Sequence, residues 1–267
     1  MNNGIVGFVL CERRETFALV NIDRPAKHNA LNLATIQELM RVFSGLRNEP
    51  EVRVVILTGS GEQAFSAGAD IEEISDLTPE VATERARAGQ ALTTLIEDLG
   101  KPVIGAINGL VYGGGCELAL VCTWRIATTN ATFAQPEIKL GLMPAWGGLT
   151  RLSRLIGKSR ALELILTGEP ITAEEALRIG LVNRLVRDRG ELMAVCEDLA
   201  REVSYNSPLA VKYALEAVNH GFEMTRDEGL RLESALFGLC FATEDVKEGV
   251  QAFREKRQPN FERRRNK

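Results

Sequence analysis

Short apolar runs of strand length alternate along this chain with stretches of helical periodicity. Val52–Thr58 and Val103–Ile107 are nearly continuous apolar runs, typical of strands that are buried on both faces of a sheet. The alternation continues to about residue 187, whereas the pattern beyond about residue 190 is helical throughout. It therefore predicts an α/β core in residues 1–190 and a C-terminal helical region in residues 191–267. Because no low-complexity linker separates the two, we expect one compact unit.

Local signals predict the other elements. Ile5–Leu10 and Phe17–Ile22 are rich in apolar and β-branched residues and predict a β-hairpin. Asn32 is a suitable N-cap for the helix that follows it. Two further strands are predicted at Arg125–Ala127 and Leu181–Leu185, and helices are predicted near Leu149–Ile156, at Lys158–Thr167 and at Thr172–Ile179.

The composition excludes several classes of protein. Of the 267 residues, 45% are hydrophobic and 25% are charged, which excludes a disordered or low-complexity chain. A net charge of −4 is not typical of a nucleic-acid-binding protein. No apolar run approaches the roughly 18 residues of a membrane span, and the N-terminus lacks the pattern of a signal peptide. Five scattered cysteines without a CxxC pair, and only two histidines, argue against disulfide bonds and a zinc site. We therefore expect a cytoplasmic protein.

Two turns with small residues are candidates for ligand contacts. Ala64–Asp70 has small side chains that leave backbone N–H groups accessible, and its last residue can cap the following helix. Asn108–Glu117 contains three consecutive glycines, which cost backbone entropy and suit the close approach of a ligand or another backbone. Neither segment has a phosphate-binding GxxxxGK[ST] or GxGxxG motif. Considered alone, each segment could also be a purely structural turn.

A third segment, Gln135–Pro144, supplies a carboxylate. Glu137 follows Glu117 in the chain with one predicted strand between them, a separation that can bring both side chains into one cleft. Two facing glutamates can divide acid and base work if their surroundings move their pKa values apart. A single glutamate is more often a solvated surface charge, so the hypothesis depends on the pair and on the nearby glycine-rich turns.

Taken together, these segments resemble the enoyl-CoA hydratase/isomerase (crotonase) family. The matching stretches are Asn21–Leu31 (NIDRPAKHNAL), Ala64–Asp70 (AFSAGAD), Lys101–Glu117 (KPVIGAINGLVYGGGCE), Phe133–Gly141 (FAQPEIKLG), Gly157–Gly168 (GKSRALELILTG), Glu174–Val182 (EEALRIGLV) and Glu248–Phe261. The resemblance implies a crotonase-like superhelix of ββα turns, closed by a C-terminal helical trimerisation region whose trimers commonly pair into hexamers. It also implies an acyl-CoA thioester as the substrate.

The resemblance further implies how the thioester is held. In this family two backbone N–H groups bind the thioester carbonyl, and by motif match they belong to Ala69 and Gly114. Chemistry at the carbons next to a thioester builds enolate charge on the carbonyl oxygen, which preorganised donors stabilise. No metal and no resident cofactor is implied, because coenzyme A is part of the substrate and backbone dipoles replace a cation.

Retention of both glutamates favours a hydratase within the family. The implied reaction is syn addition of water to a trans-2-enoyl-CoA, giving 3-hydroxyacyl-CoA, as in fatty acid β-oxidation. Glu117 would activate the water and Glu137 would supply the proton to Cα. The alternatives are an enoyl-CoA isomerase or another crotonase-type reaction and, from a different class, an RNA-binding or non-catalytic family member.

The resemblance also assigns residues to the remainder of the substrate. The implied CoA-binding residues are Arg24, Ala26, Lys27, Ala67, Asp70 and Ile71, with Phe253 and Lys256 reaching the nucleotide from a neighbouring subunit. Arg24 could equally be a structural partner after the hairpin. The basic C-terminal segment could equally be a solvated tail. Where the family usually has small residues, this chain has Trp146, either a core anchor or a wall of the acyl pocket.

Overall fold

The computed structural model describes residues 7–261. In this range ten strands lie at Val9–Arg13 (β1), Phe17–Ile22 (β2), Val54–Gly59 (β3), Ala64–Ser66 (β4), Val103–Ile107 (β5), Leu110–Tyr112 (β6), Trp124–Thr128 (β7), Thr132–Ala134 (β8), Ile171–Thr172 (β9) and Arg184–Val186 (β10). Ten α-helices lie at Leu33–Arg47 (α1), Pro79–Glu97 (α2), Gly114–Leu120 (α3), Gly148–Ile156 (α4), Lys158–Thr167 (α5), Ala173–Arg178 (α6), Arg189–Ser204 (α7), Pro208–Gly221 (α8), Arg226–Cys240 (α9) and Asp245–Glu255 (α10). Short 3-10 helices lie at Pro25–Lys27, Ile71–Glu73 and Pro136–Leu140.

The strands form two sheets whose members alternate along the chain. The larger sheet has the order β1-β2-β3-β5-β7-β10 and is parallel except for the β1–β2 hairpin. The smaller sheet has the order β4-β6-β8-β9. From β3 onward, a strand of the larger sheet is followed by a strand of the smaller one and then by a helix: β3-β4-α2, β5-β6-α3 and β7-β8-α4. This repetition confirms the α/β class and matches the expected ββα turns.

The larger sheet has a separate apolar layer on each face. Every residue of β3 and β5 is buried, as their continuous apolar sequences predict. On one face, Val55 and Leu57 pack in a cluster with the apolar sides of α1 and α2. On the other face, Val54 and Ile56 pack in a cluster with Leu192, Cys196 and Ala200 of α7. The helical region therefore contacts the sheet from its first helix.

Some boundaries differ from the sequence prediction. The first strand of the hairpin is Val9–Arg13 rather than Ile5–Leu10, of which residues 5 and 6 lie outside the described range. This edge strand is only partly buried, so it does not need the apolar run that suggested the earlier position. The last strand is Arg184–Val186 rather than Leu181–Leu185. The Asn32 cap is confirmed, because its side chain accepts a 2.9 Å hydrogen bond from the Thr35 N–H.

The C-terminal helices expose large apolar side chains. Phe222, Phe237, Phe241 and Phe253 are 61–84% exposed, and the rings of Phe237 and Phe241 meet edge to face at 5.3 Å. In the part of the chain that the structure describes, none of the helices has the length and hydropathy of a membrane span.

Candidate active site

All three segments singled out in the sequence line one cavity of about 260 Å³. Residues that share this cavity are Ala67, Ala69, Asp70, Gly113, Gly114, Glu117, Pro136, Glu137 and Trp146. Three larger clefts among the described residues contain neither glutamate. The folded chain therefore brings together the two predicted carboxylates and the two predicted N–H donors.

The two small-residue turns touch at a glycine. Gly68 has a φ of +88°, and a Cβ at this position would lie 2.6 Å from the Tyr112 carbonyl oxygen and 3.0 Å from the Gly114 nitrogen. Only glycine combines this backbone conformation with so close an approach. The contact places the backbone of the Ala67–Asp70 loop directly against the start of α3.

Leu31 fixes the orientation of this loop on its other side. The Leu31 N–H donates to the Gly68 carbonyl at 2.7 Å, and the Asp70 N–H donates to the Leu31 carbonyl at 3.1 Å. In this parallel bridge the Ala69 N–H points away from Leu31. Among residues 7–261, neither the Ala69 N–H nor the Gly114 N–H has a hydrogen-bond acceptor. Both donors are thus available to a ligand.

Glu117 is buried, and its carboxylate is hydrogen-bonded to a backbone turn. Its side chain is 2% exposed, and its Oε1 accepts hydrogen bonds of 2.7 Å from the Trp146 and Gly148 N–H groups. Burial raises the pKa of Glu117, whereas the two N–H groups and the charge of Arg151 lower it. Gly147 between the donors has a φ of +108°, which favours glycine.

Glu137 experiences a different environment in the Pro136–Leu140 helix. Burial, together with the smaller effect of the negative charge of Glu117, raises its pKa from the ordinary 4.5 to about 7, although a backbone hydrogen bond lowers it. The amide of buried Gln135 faces Glu137, and exchanging its oxygen and nitrogen lets it donate to both carboxylate oxygens at 3.1 and 3.2 Å. Glu137 therefore exchanges a proton near neutral pH, as a general acid or base must.

Trp146 combines both alternatives considered from the sequence. It is 8% exposed and belongs to the main apolar cluster, yet it also lines the cavity. Its indole lies against two glycines, because a Cβ on Gly89 would come within 2.3 Å of the ring and a Cβ on Gly114 within 2.9 Å. The indole thus fills space beside one candidate N–H donor, while its own backbone N–H holds Glu117.

Two of the residues assigned to the CoA arm form a structural pair. The Arg24 guanidinium donates to the Asp70 carboxylate at 2.9 Å and to the Ala30 carbonyl at 2.6 Å. These contacts favour the structural alternative for Arg24, because its side chain is 13% exposed and already engaged. Asp70 also caps the Ile71–Glu73 helix through the Glu72 N–H. The pair therefore fixes the far end of the Ala67–Asp70 loop.

The other CoA-arm residues lie at the surface or at the cavity. Ile71 and Ala67 line the cavity, and Ile71 is 62% exposed. Ala26 and Lys27 are exposed, and Lys27 forms an ion pair of 2.5 Å with Glu72. Phe253 and Lys256 lie on the exposed end of α10 and do not line the cavity. Their contact with a neighbouring subunit's nucleotide stays a prediction.

Sequence reasoning missed a group of side chains behind Glu117. Thr93 and Glu97 of α2, together with Arg151 of α4, surround the turn that holds the carboxylate. The four-residue spacing from Gly89 to Thr93 to Glu97 places these three residues on one face of α2. This spacing is the one feature of the sequence that could have indicated the group. Within the described residues, no group of three His, Cys, Asp or Glu side chains could hold a metal ion.

Comparison with known proteins agrees with this geometry. The sequence profile described as enoyl-CoA hydratase/isomerase matches residues 12–264. A crotonyl-CoA hydratase of Syntrophomonas wolfei is 44% identical, over 95% of this chain and 97% of its own length. A short-chain-enoyl-CoA hydratase of Clostridium acetobutylicum is 45% identical over 93% and 95%. The crystal structure of an enoyl-CoA hydratase from Bacillus anthracis superposes with a TM-score of 0.92 at 37% identity, covering 95% of this chain and 98% of that chain. The chain belongs to the enoyl-CoA hydratase/isomerase family and has its crotonase fold.

Proposed function

We propose that this protein is an enoyl-CoA hydratase, a hydro-lyase that adds water across the 2,3 double bond of a trans-2-enoyl-CoA. The observation that carries the proposal is that Glu117, Glu137 and two N–H donors without protein acceptors line one cavity. The names of its 44–45% identical relatives support the same reaction. Its place in fatty acid β-oxidation follows from the product, 3-hydroxyacyl-CoA.

The Ala69 and Gly114 N–H groups form the oxyanion hole in this proposal. They bind the thioester oxygen and stabilise the enolate charge that develops when a nucleophile adds to Cβ. Loss of one such donor typically lowers kcat by a factor of about 10²–10³. The contact between Gly68 and the start of α3 supports the assignment, because it keeps the two donors close.

The two carboxyls divide the proton transfers. The Glu117 carboxylate, which accepts hydrogen bonds from two N–H groups, takes the proton of the water as the water oxygen attacks Cβ. Glu137, whose pKa of about 7 keeps a large protonated fraction at neutral pH, donates its proton to Cα. Both protons move on one face of the substrate, which gives syn addition. The proton then returns from Glu117 to Glu137 before the next turnover, and the reverse reaction follows the same route.

The acyl chain is proposed to be short, with Trp146 as one wall of its pocket. The cavity of about 260 Å³ is small, and the indole occupies space next to Gly114. The printed names of the relatives, crotonyl-CoA and short-chain-enoyl-CoA hydratase, point the same way. Ala82 and Ala86 of α2 also line this cavity.

The CoA arm and the oligomer belong to the same proposal. Ala26, Lys27, Ala67, Asp70 and Ile71 would contact CoA from within the subunit. Phe253 and Lys256 would contact it from a neighbouring subunit of a trimer or a dimer of trimers, and the exposed phenylalanines of α8–α10 support such an assembly. A cytoplasmic location and the lack of a resident cofactor stay predictions.

Hydration of trans-2-butenoyl-CoA tests the proposal directly. Loss of the conjugated thioester absorbance, with 3-hydroxybutanoyl-CoA identified by mass, is the expected result for the wild-type protein. Glu117→Gln and Glu137→Gln should each lower kcat by about 10²–10⁴, the usual contribution of a general acid or base. Glu163→Gln, which changes an exposed carboxylate outside the cavity, is the matched control. Wild-type turnover of a 3-enoyl-CoA alone, or full hydration by both variants, would refute the two-carboxylate hydratase.

A further inference from the structure

The turn that holds Glu117 is itself anchored from behind. The Trp146 carbonyl accepts hydrogen bonds from the Thr93 hydroxyl at 2.9 Å and from Nη1 of Arg151 at 3.0 Å. The preceding carbonyl, that of Ala145, accepts a bond of 2.8 Å from Nε2 of Gln90. The backbone between α3 and α4 is therefore tied to α2 on the side away from Glu117.

Arg151 is fixed in place by a carboxylate of α2. Its Nη2 and Nε atoms donate to Oε2 of Glu97 at 2.7 and 3.1 Å, which orients the planar guanidinium. Its Nη1 also approaches the Thr93 hydroxyl at 3.3 Å. The Arg151 side chain is 20% exposed and that of Glu97 is 34% exposed, so solvent access to this pair is limited.

These anchors matter because the turn has little stiffness of its own. The two N–H groups that bind Glu117 belong to Trp146 and Gly148, and the Trp146–Gly147 peptide lies between them. Two consecutive glycines leave this peptide free to rotate unless its carbonyl is held. Rotation of the Trp146 carbonyl would displace the donors and release the carboxylate.

We propose that Arg151, together with Glu97 and Thr93, is a positioning residue that keeps Glu117 in its reactive geometry by holding the Trp146 carbonyl. This inference rests on the proposed role of Glu117 in activating water. Arg151 donates to Glu97 but makes no hydrogen bond to Glu117 or Glu137, so its effect on the reaction passes through the backbone turn and through its charge.

The charge of Arg151 gives the proposal a second readout. It lowers the pKa of Glu117, whereas burial raises it. Other charged groups around the turn are Glu97 of α2, which is paired with Arg151, Glu137 across the cavity, and the exposed Arg154–Glu223 ion pair in the cleft behind the turn. Loss of the Arg151 charge should therefore raise the pKa of Glu117 and move the acidic limb of the kcat–pH profile to higher pH.

Three variants and one control separate positioning from general stability. Arg151→Met removes charge and anchor, Arg151→Lys keeps the charge, and Thr93→Val removes a hydroxyl with little change of shape. Arg154→Met is the control, because Arg154 lies one turn along α4, is 44% exposed and pairs with Glu223. Each variant is assayed for kcat and KM with trans-2-butenoyl-CoA across pH, and for oligomeric state and unfolding midpoint.

The positioning role predicts a specific pattern. Arg151→Met should lower kcat 10- to 100-fold with KM changed less than threefold, and should shift the acidic limb upward. Thr93→Val should lower kcat three- to tenfold without that shift, Arg151→Lys should recover part of the loss, and Arg154→Met should match the wild type. Wild-type kcat and pH profiles in both Arg151→Met and Thr93→Val, or an effect on KM alone, would overturn the proposal.

Failure of the proposed function would look different. In that case the wild-type protein and Arg154→Met would also fail to hydrate the substrate. The infrared titration of the Glu117 carboxyl, identified by its absence in Glu117→Gln, then tests the proposal without turnover. A shift of the Glu117 carboxylate band in both Arg151→Met and Thr93→Val, but not in Arg154→Met, supports the positioning role, and an unchanged band in both variants overturns it.

Discussion

Replacing Glu137 by glutamine should remove the proposed proton donor and, above pH 7, stabilise the folded protein. Glutamine has nearly the same shape as glutamate but carries no charge to be buried. Because burial raises the pKa of Glu137 from 4.5 to about 7, the folded protein binds this proton more tightly than the unfolded chain does. The charged form therefore opposes folding at the pH where the enzyme would work.

The sign and size of the effect follow from these two pKa values. Below about pH 4.5 the carboxyl is protonated in both states, and the wild-type protein suffers no charge penalty. Between pH 4.5 and 7 the unfolded chain loses the proton first, so the stability of the wild-type protein falls as pH rises. At about 1.4 kcal/mol per pH unit, the full difference corresponds to about 3 kcal/mol above pH 7. The carboxyl is only partly buried, and solvent screening reduces the expected gain to about 1–2 kcal/mol.

Urea unfolding of the wild-type protein and Glu137→Gln at pH 5 and pH 8 measures this effect. One protomer concentration must be used throughout, because assembly shifts the apparent stability. The free energy of unfolding of the variant, relative to that of the wild type, should be higher at pH 8 than at pH 5. The hydration activity of the variant should be low at both pH values. Glu163→Gln, an exposed carboxylate, should show no such pH-dependent gain. A Glu137→Gln variant with the same stability difference at both pH values would refute the argument from burial.

Three further substitutions test the walls and turns of the cavity. Because the indole fills space beside the cavity, Trp146→Ala should raise kcat/KM for 2-enoyl-CoAs longer than four carbons relative to that for the four-carbon substrate, measured as a chain-length profile. Gly89→Ala should lower kcat for trans-2-butenoyl-CoA at least tenfold, since the new methyl group would lie 2.3 Å from the indole and displace it toward the substrate. Gly68→Ala should lower kcat about 10²-fold and also lower the unfolding midpoint, because a Cβ at φ +88° would meet the Tyr112 carbonyl at 2.6 Å. Unchanged kinetics in Gly68→Ala would argue against a role for the Ala69 N–H.

The parts of the fold that the sequence predicts are those with a long local pattern. Val103–Ile107 is a strand with the predicted bounds because its apolar run is nearly continuous, and α5 at Lys158–Thr167 has its predicted bounds because its apolar residues recur at helical spacing. By contrast, β6, β8 and β9 have two or three residues each, too few to show a period of two. These short strands build the second sheet, so local pattern alone predicts the alternation of strands and helices but not the superhelix.

The site shows a similar division between side chains and backbone. Glu117 and Glu137 could be singled out by residue type, and both line the cavity. The two hydrogen bonds that hold Glu117 could not be predicted, because their donors are main-chain N–H groups about thirty residues further along the chain. Almost any residue type carries such an N–H group. What the sequence does show is a glycine beside each proposed donor: Gly68, Gly113 and Gly147, all of which have a positive φ in the structure. In a site that works through backbone N–H groups, glycine positions are therefore the signal to read, and the side chains that brace those turns, such as Arg151, emerge only from the folded structure.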